Sequence, residues 1–339
     1  MLASEPYLIG ETAYNHQGDF DYLLNMVKSL PEEVDAVKFH LLLNPDSYIR
    51  LDHPLYNSIK NWVFSPEQWD KIFTVSLEKN LDVVALCDDP ESLEFILARW
   101  PKIKAVEVHS SGLSDCHLLR LGSRFEGVLI LGIGGSSEGE IERAIEIVRE
   151  FGKKDIFLMY GFQSYPTQHK DVGFYRMLYL KDKFGLPMGY ADHCPWDDKY
   201  GLIISALPCG FGVPVIEKHF TLDKGVERID WQSAVSPQDL SALKQMMDTF
   251  WQTYDLGRVD MNPSEVAYGK WGPNKKVPCY RRNIEAGDLV ELDDIVFLRI
   301  PEEMKMSDVN EVLALFSSFP KRINRKVKSK EPVKVEDFM

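Results

Sequence analysis

The sequence predicts an α/β protein, a (β/α)₈ barrel followed by a small β-rich domain. Three observations carry that reading. Short apolar, β-branched runs recur eight times before residue 221, each followed by a polar turn and a stretch with helical periodicity. The repeats fill about 250 residues, the usual length of such a barrel. After Tyr254 the alternation stops, and glycine and proline without periodicity take its place.

The strands read YLIGETAYN (7–15), AVKFH (36–40), LDVVAL (81–86), AVEVHS (105–110), VLILGIGG (128–135), DIFLMYG (155–161), MGYADH (188–193) and VPVIEKHF (213–220). Helices between and after them are legible at 20–30, 65–80, 137–152 and 236–254. The third of these opens on Ser137-x-x-Glu140, a capping box, and ends near Gly152. These signals set the domains as a barrel over 1–256, a linker over 257–278 and a β-rich domain over 279–339. In the last, 280–301 and 325–339 read as short strands with turns, and the basic run at 321–330 reads as a solvated face.

Composition narrows the function classes. The 339 residues carry 39 Lys+Arg against 52 Asp+Glu, a formal charge of −13, and a pI near 5.2. That acidity argues against general nucleic-acid binding. No apolar run approaches the length of a membrane span, and the N-terminus lacks a basic region followed by an apolar stretch, so a cytoplasmic protein is expected. The five cysteines, an odd number with no C-x-x-C spacing, point to reduced thiols.

A barrel places its chemistry where the strands end, and the period of two sends alternate side chains inward. The polar residues there are Glu11 and Asn15-His16, Lys38 and His40, Glu107, His109 and Ser110, Gln163 and Tyr165, Asp192-His193, and Glu217-Lys218-His219. His193 and His219 close adjacent strands and should lie side by side. Two neutral imidazoles with open positions suit a divalent metal completed by water and substrate oxygens, the alternative being two hydrogen-bonded, metal-free histidines. Glu11 and Lys38 are candidates for acid, base or anion clamp, or for a salt bridge across the barrel. The turn GIGGSSEGE (132–140) could hold an anion at the helix start but reads better as a tight connection.

At these residues the sequence resembles the sialic acid synthase family, whose members join phosphoenolpyruvate (PEP) to an amino-sugar aldehyde. GETAYNHQGD (10–19) resembles the family's E-x-x-x-N-H-x-G, AVKFH its A-V-K-F-Q, SYPT (164–167) its Y-P-T, GYADH (189–193) its G-Y-S-D-H and IEKHFT (216–221) its E-K-H-F-T. The segment YRRNIEAGDLVELDDIVFLRIP resembles the family's antifreeze-like (β-clip) domain. The resemblance implies a Mn²⁺ or Mg²⁺ ion at His193 and His219 that polarises the sugar aldehyde, with Glu11 managing a proton or developing cation and Lys38 holding an anionic donor. It further implies a sugar pocket lined by Tyr165, Asp230 and Arg299, and a homodimer in which the antifreeze-like domain, with Arg299, covers the partner's barrel. Asn15, His40, Ser110 and Gln163 complete the substrate-binding candidates.

The departures from the family pattern gather where PEP would bind. A phosphate-binding lysine on the fourth strand is replaced by Glu107, and the carboxylate after it by Gly112. The hydroxyl-bearing S-T-G-M turn is Gly132-Ile133-Gly134-Gly135, the serine of S-D-H is Ala191, and Leu86, His40 and Gln163 replace a threonine, a glutamine and an asparagine. A carboxylate about 4 Å from a phosphate turns an attraction of roughly 4 kcal/mol at an effective dielectric of 20 into a repulsion of that size. The expectations are therefore a metal-dependent, carbon–carbon bond-forming synthase with PEP as donor, a diverged enzyme using Glu107 and His109 as new acid–base groups, or a non-catalytic sugar-binding subunit.

Overall fold

The structure, a computed structural model, describes residues 4–254 and 258–338. Eight strands form a closed parallel barrel in sequence order: β1 (Tyr7–Glu11), β2 (Ala36–Leu41), β3 (Asp82–Cys87), β4 (Ala105–Val108), β5 (Val128–Gly132), β6 (Ile156–Tyr160), β7 (Met188–Asp192) and β8 (Val215–His219). Closure is made by β8 pairing along the whole of β1, from Tyr7 opposite Val215 to Glu11 opposite His219. All eight expected strands form; six are trimmed toward their apolar centres because the polar ends turn into loops, while β2 runs one residue further to Leu41 and β3 is shifted by one to Asp82–Cys87.

Two shells bury the apolar residues. Outward-facing strand residues pack under the helices, and the lumen is filled by a separate set that includes Ile9, Ala36, Val84, Ala105, Phe157 and Val215. The helix Glu138–Glu150 shows why the outer shell forms. Ile141, Ala144, Ile145 and Val148 fall on one face and are buried. Ser137 and Glu140 close its N-terminus as a reciprocal capping box, and Gly152 takes the left-handed φ of +83° just beyond its end.

Along the lumen, apolar side chains give way to charged ones and then to imidazoles. The sequences Ile9-Glu11, Ala36-Lys38-His40, Ala105-Glu107-His109 and Val215-Glu217-His219 each climb the lumen at a spacing of two. The intervening positions on β7 and β8 face outward, where Asp192 and Lys218, both buried, pair at 2.5 Å. Burial alone would raise the Asp192 carboxyl. Lys218, the Tyr190 hydroxyl and the Cys194 amide outweigh it and hold the carboxyl down at about 2.

The chain divides into two compact units, Met1–Leu256 and Gly257–Met339. The stretch expected to be a linker groups with the second unit and contains the helix Pro263–Tyr268. Six residues are too short for visible periodicity, but Asn262 and Glu265 form a capping box at its start. In this unit β9 (Val277–Tyr280) pairs antiparallel with β11 (Ile295–Leu298), and β10 (Leu289–Val290) with β12 (Lys321–Arg322). Residues 325–338 form isolated bridges and a short 3₁₀ turn rather than strands, and the helix Val309–Leu315 was not anticipated. Arg325, from the run read as solvated, is bound to Asp337 at 2.6 Å and to Glu331 at 2.8 Å. All five cysteines are free, and no described helix is long and apolar enough to cross a membrane.

Breaking the outer pair tests its part in fixing β7 and β8. Lys218→Met leaves a buried carboxylate without its cation, so chemical denaturation should show a loss of about 3–5 kcal/mol. A loss below about 1 kcal/mol would mean that the neutral donors around Asp192 suffice.

Candidate active site

The C-terminal ends of the strands enclose a cavity of about 330 Å³. Glu11, Lys38, His40, Glu107, Ser110, Gln163, Tyr165, His193, His219 and Asp230 all line it, joined by Tyr14, Tyr48, His109, Gly132 and Glu217. A larger cavity, about 560 Å³, lies among the strand starts around Phe157, Met188, Pro214 and Trp251, but it contains no histidine or glutamate. The glutamates and imidazoles expected to carry chemistry thus line the strand-end cavity.

Two expected site residues lie elsewhere. Asn15 does not reach the cavity. Its amide donates to the Ile229 carbonyl at 2.9 Å and accepts from the Thr221 hydroxyl at 2.7 Å, which ties down the loop carrying Asp230. Arg299 belongs to the second unit, where its guanidinium donates to the Pro273 carbonyl.

Lys38 is the centre of the charged layer. Its ammonium lies 2.9 Å from both oxygens of Glu217, 2.8 Å from Glu107 and 3.5 Å from Glu11, with every partner side chain at most 3% exposed. Burial works against the ammonium, but Glu107, Glu11 and Glu217 together raise its pKa well above the usual lysine value. The three carboxyls differ. Glu217 is raised well above the carboxylate range by burial and by Glu11. Glu11 is lowered well below it, because Lys38 and His219 outweigh its burial. Glu107 is raised, since burial exceeds the help from Lys38. Its Oε2 is the atom that meets the lysine.

Above this layer, His40 bridges Glu11 Oε1 at 3.1 Å and Asp88 Oδ2 at 3.3 Å, while Asp88 also accepts from the Tyr14 hydroxyl at 2.7 Å. Burial disfavours the imidazolium, but the hydrogen bonds to Asp88 and Glu11 outweigh it and lift the pKa to about 10. His40 is thus the second cation of the site. His109, on the next strand, is pushed down to about 4 by burial and by the His40 charge, and is neutral.

The imidazoles of His193 and His219 meet edge to face with centroids 4.8 Å apart. His219 touches Glu11 Oε2 through Nε2 at 3.1 Å and Ser233 Oγ through Nδ1 at 3.3 Å. His193 is held down at about 3 by burial and by His219, and its buried Nδ1 has no partner. A neutral ring with an unused buried nitrogen beside a second imidazole fits a divalent cation that takes its other ligands from water and substrate. Among the described residues no group of three or more His, Cys, Asp or Glu is arranged to hold a metal, so the protein share of such a shell is these two rings.

Gly132 shows how Glu107 is accommodated. A Cβ at this position would lie 3.2 Å from Glu107 Oε1 and 2.9 Å from the Ser110 backbone nitrogen. The missing side chain and the added carboxyl occupy one space. Asp88 and Tyr48 are functional positions that sequence reasoning left out, and Glu217 was named among the strand-end residues but given no role. The period of two back from His219 flags Glu217, and Asp88 is the acid closing the third strand, whereas Tyr48 sits in a loop with no motif.

A closed (β/α)₈ barrel with convergent acids, imidazoles and a buried lysine at its strand ends defines an enzyme-type barrel site. The chain belongs to the NeuB family, whose profile matches residues 43–258. It is 29% identical over 279 residues to the N-acetylneuraminate-9-phosphate synthase of Drosophila melanogaster, covering 78% of this chain and 72% of that one. With the N,N'-diacetyllegionaminic acid synthase of Legionella pneumophila it shares 24% identity, covering 91% and 89% of the two chains. The crystal structure of N-acetylneuraminic acid synthetase from Leptospira borgpetersenii in complex with citrate superposes with a TM-score of 0.70 at 25% identity, covering 78% of this chain and 90% of that one.

Two measurements check the site. The stability contributed by the raised His40 pKa is complete below pH 6.5 and lost as pH rises through about 10. The gap in unfolding free energy between wild type and His40→Gln should therefore narrow between pH 7 and 10.5. In a second series, Gly132→Ser should destabilise the barrel by about 1–3 kcal/mol through overpacking, and combining it with Glu107→Ala should recover only part of that loss, because the Ser110 nitrogen remains in the way.

Proposed function

We propose that this chain is an enzyme of nonulosonic-acid biosynthesis that acts on the carbonyl of an N-acetylated amino sugar and does not use PEP as its donor. The observation that carries this reading is the saturation of Lys38. In the sialic acid synthase pattern this lysine and the one replaced by Glu107 face an anionic donor. Here three buried glutamates take its contacts. A phosphate entering beside Glu107 would face repulsion of roughly 4 kcal/mol where the pattern supplies attraction. Membership of a family whose relatives are named as sialic and legionaminic acid synthases supports the sugar half of the reading.

A divalent cation, Mn²⁺ or Mg²⁺, would be held by His193 and His219 and would supply Lewis-acid polarisation of the sugar carbonyl. The chain's own groups do the rest. Tyr165, Gln163 and Asp230 face the cavity from the rim and suit a sugar's hydroxyl and amide groups. Glu11, held as a carboxylate chiefly by Lys38 and His219, orients Lys38, His40 and His219. The second unit is read as the antifreeze-like domain, acting across a homodimer with Arg299 at the partner's rim.

Phosphate release from PEP, followed with Mn²⁺ and a panel of N-acetylated hexosamines, decides the donor. The expected result is no release under conditions where at least one sugar raises the melting temperature, and sugar-dependent release would refute the reading. Mn²⁺ alone should raise the melting temperature of wild type and not of His193→Ala. In light scattering the protein should run at twice the 38.9 kDa chain mass.

A further inference from the structure

Of the three carboxyls around Lys38, two are fully engaged. Glu217 receives two 2.9 Å hydrogen bonds from the ammonium, and Glu11 is shared by Lys38, His40 and His219. Glu107 has a single ion pair, made through Oε2. Its other oxygen lies over Gly132, where no side chain intervenes between it and the cavity that both residues line. The site thus contains one carboxylate with spare lone pairs, 2.8 Å from a fixed positive charge.

We infer that Glu107 is a catalytic base that removes the proton α to the carbonyl of an amino-sugar aldehyde in this cavity, giving the chain an activity of the isomerase or epimerase class. The inference rests on the sugar-carbonyl reading above. In the step, the C–H bond α to the carbonyl breaks and its proton forms an O–H bond on Glu107. The C–H electron pair forms the new C=C bond and the carbonyl π pair moves onto oxygen, producing an enolate whose α carbon carries the acetamido nitrogen. Return of a proton to the carbon regenerates the aldehyde and restores the Glu107 carboxylate. No oxidant, reductant or co-substrate enters the balance.

Lys38 makes this exchange inexpensive in electrostatic terms. Before the step the negative charge beside the ammonium is on Glu107, and afterwards it is on the substrate. The ammonium keeps an anionic neighbour throughout, so little charge has to be resolvated in a buried site. Burial raises the Glu107 carboxyl and Lys38 opposes that rise, which brings its protonated and ionised forms closer in energy than for a free carboxylate. Lys38 itself is unsuited to the competing route through a covalent imine, because its three neighbours keep it charged.

The test is deuterium incorporation. The full chain with Mg²⁺ is incubated in D₂O with each N-acetylated hexosamine that raises its melting temperature, and the recovered sugar is analysed by mass spectrometry. Wild type should introduce one deuterium at the carbon next to the carbonyl. Glu107→Gln should slow this about 100-fold or more while keeping the sugar-induced rise in melting temperature, and Glu107→Asp should restore part of the rate. Absence of wild-type exchange into any stabilising sugar overturns the inference and leaves the PEP-independent reading standing, whether or not the glutamine variant folds. Exchange by Glu107→Gln at the wild-type rate overturns it equally. Phosphate release from PEP in a parallel sample would instead remove the reading on which the inference rests.

Discussion

The arrangement of the barrel mouth follows from one buried ammonium. Lys38 is 2% exposed and surrounded by three glutamates, and an unpaired charge at that depth would cost several kcal/mol. Three carboxylates around one cation would be as unfavourable in the other direction. The site settles this by treating the acids unequally: Glu11 is held well below the carboxylate range, Glu217 and Glu107 are pushed up, and His40 contributes a second positive charge above them. Each histidine of the upper layer responds to that distribution. His40 is charged because it lies between Glu11 and Asp88, and His109 is neutral because burial and then the His40 charge press it down.

The pair of strands that presents His193 and His219 is fixed from behind by a different ion pair. Asp192 and Lys218 are each one residue from an imidazole, and the pleat sends them to the opposite face. The barrel therefore carries two buried charge systems back to back across one sheet layer. The outer system fixes strand position, and the inner one sets the protonation of the groups that face substrate.

The barrel was legible because each strand is a short apolar run that the helices bury on one side and the lumen on the other. The inward residues Lys38, Glu107, His193 and His219 were legible for the same reason, since alternation within each strand, counted from its lumen-facing Ala36, Ala105, Ala191 or Val215, points to them. Asn15 was misplaced because residues 12–19 follow the strand as a turn, where a period of two no longer applies and contacts with Ile229 and Thr221 decide the direction. Tyr48 and Asp88 depend on loops and on partners from distant strands, which no local pattern encodes. In the second unit, strands of two to four residues and a seven-residue helix fall below the length at which periodicity is visible. Its core is assembled from single residues such as Tyr280, Ile323 and Val327.

The shared space between Gly132 and Glu107 makes the two positions depend on each other unequally. A Cβ at 132 meets both the Ser110 backbone and the Glu107 carboxyl, so a glycine there is permissive for the glutamate, whereas the glutamate does nothing to admit a larger residue at 132. In this chain a larger residue at 132 therefore requires first that the Glu107 carboxyl and the Ser110 backbone give way, whereas the acid needs only that 132 stay glycine.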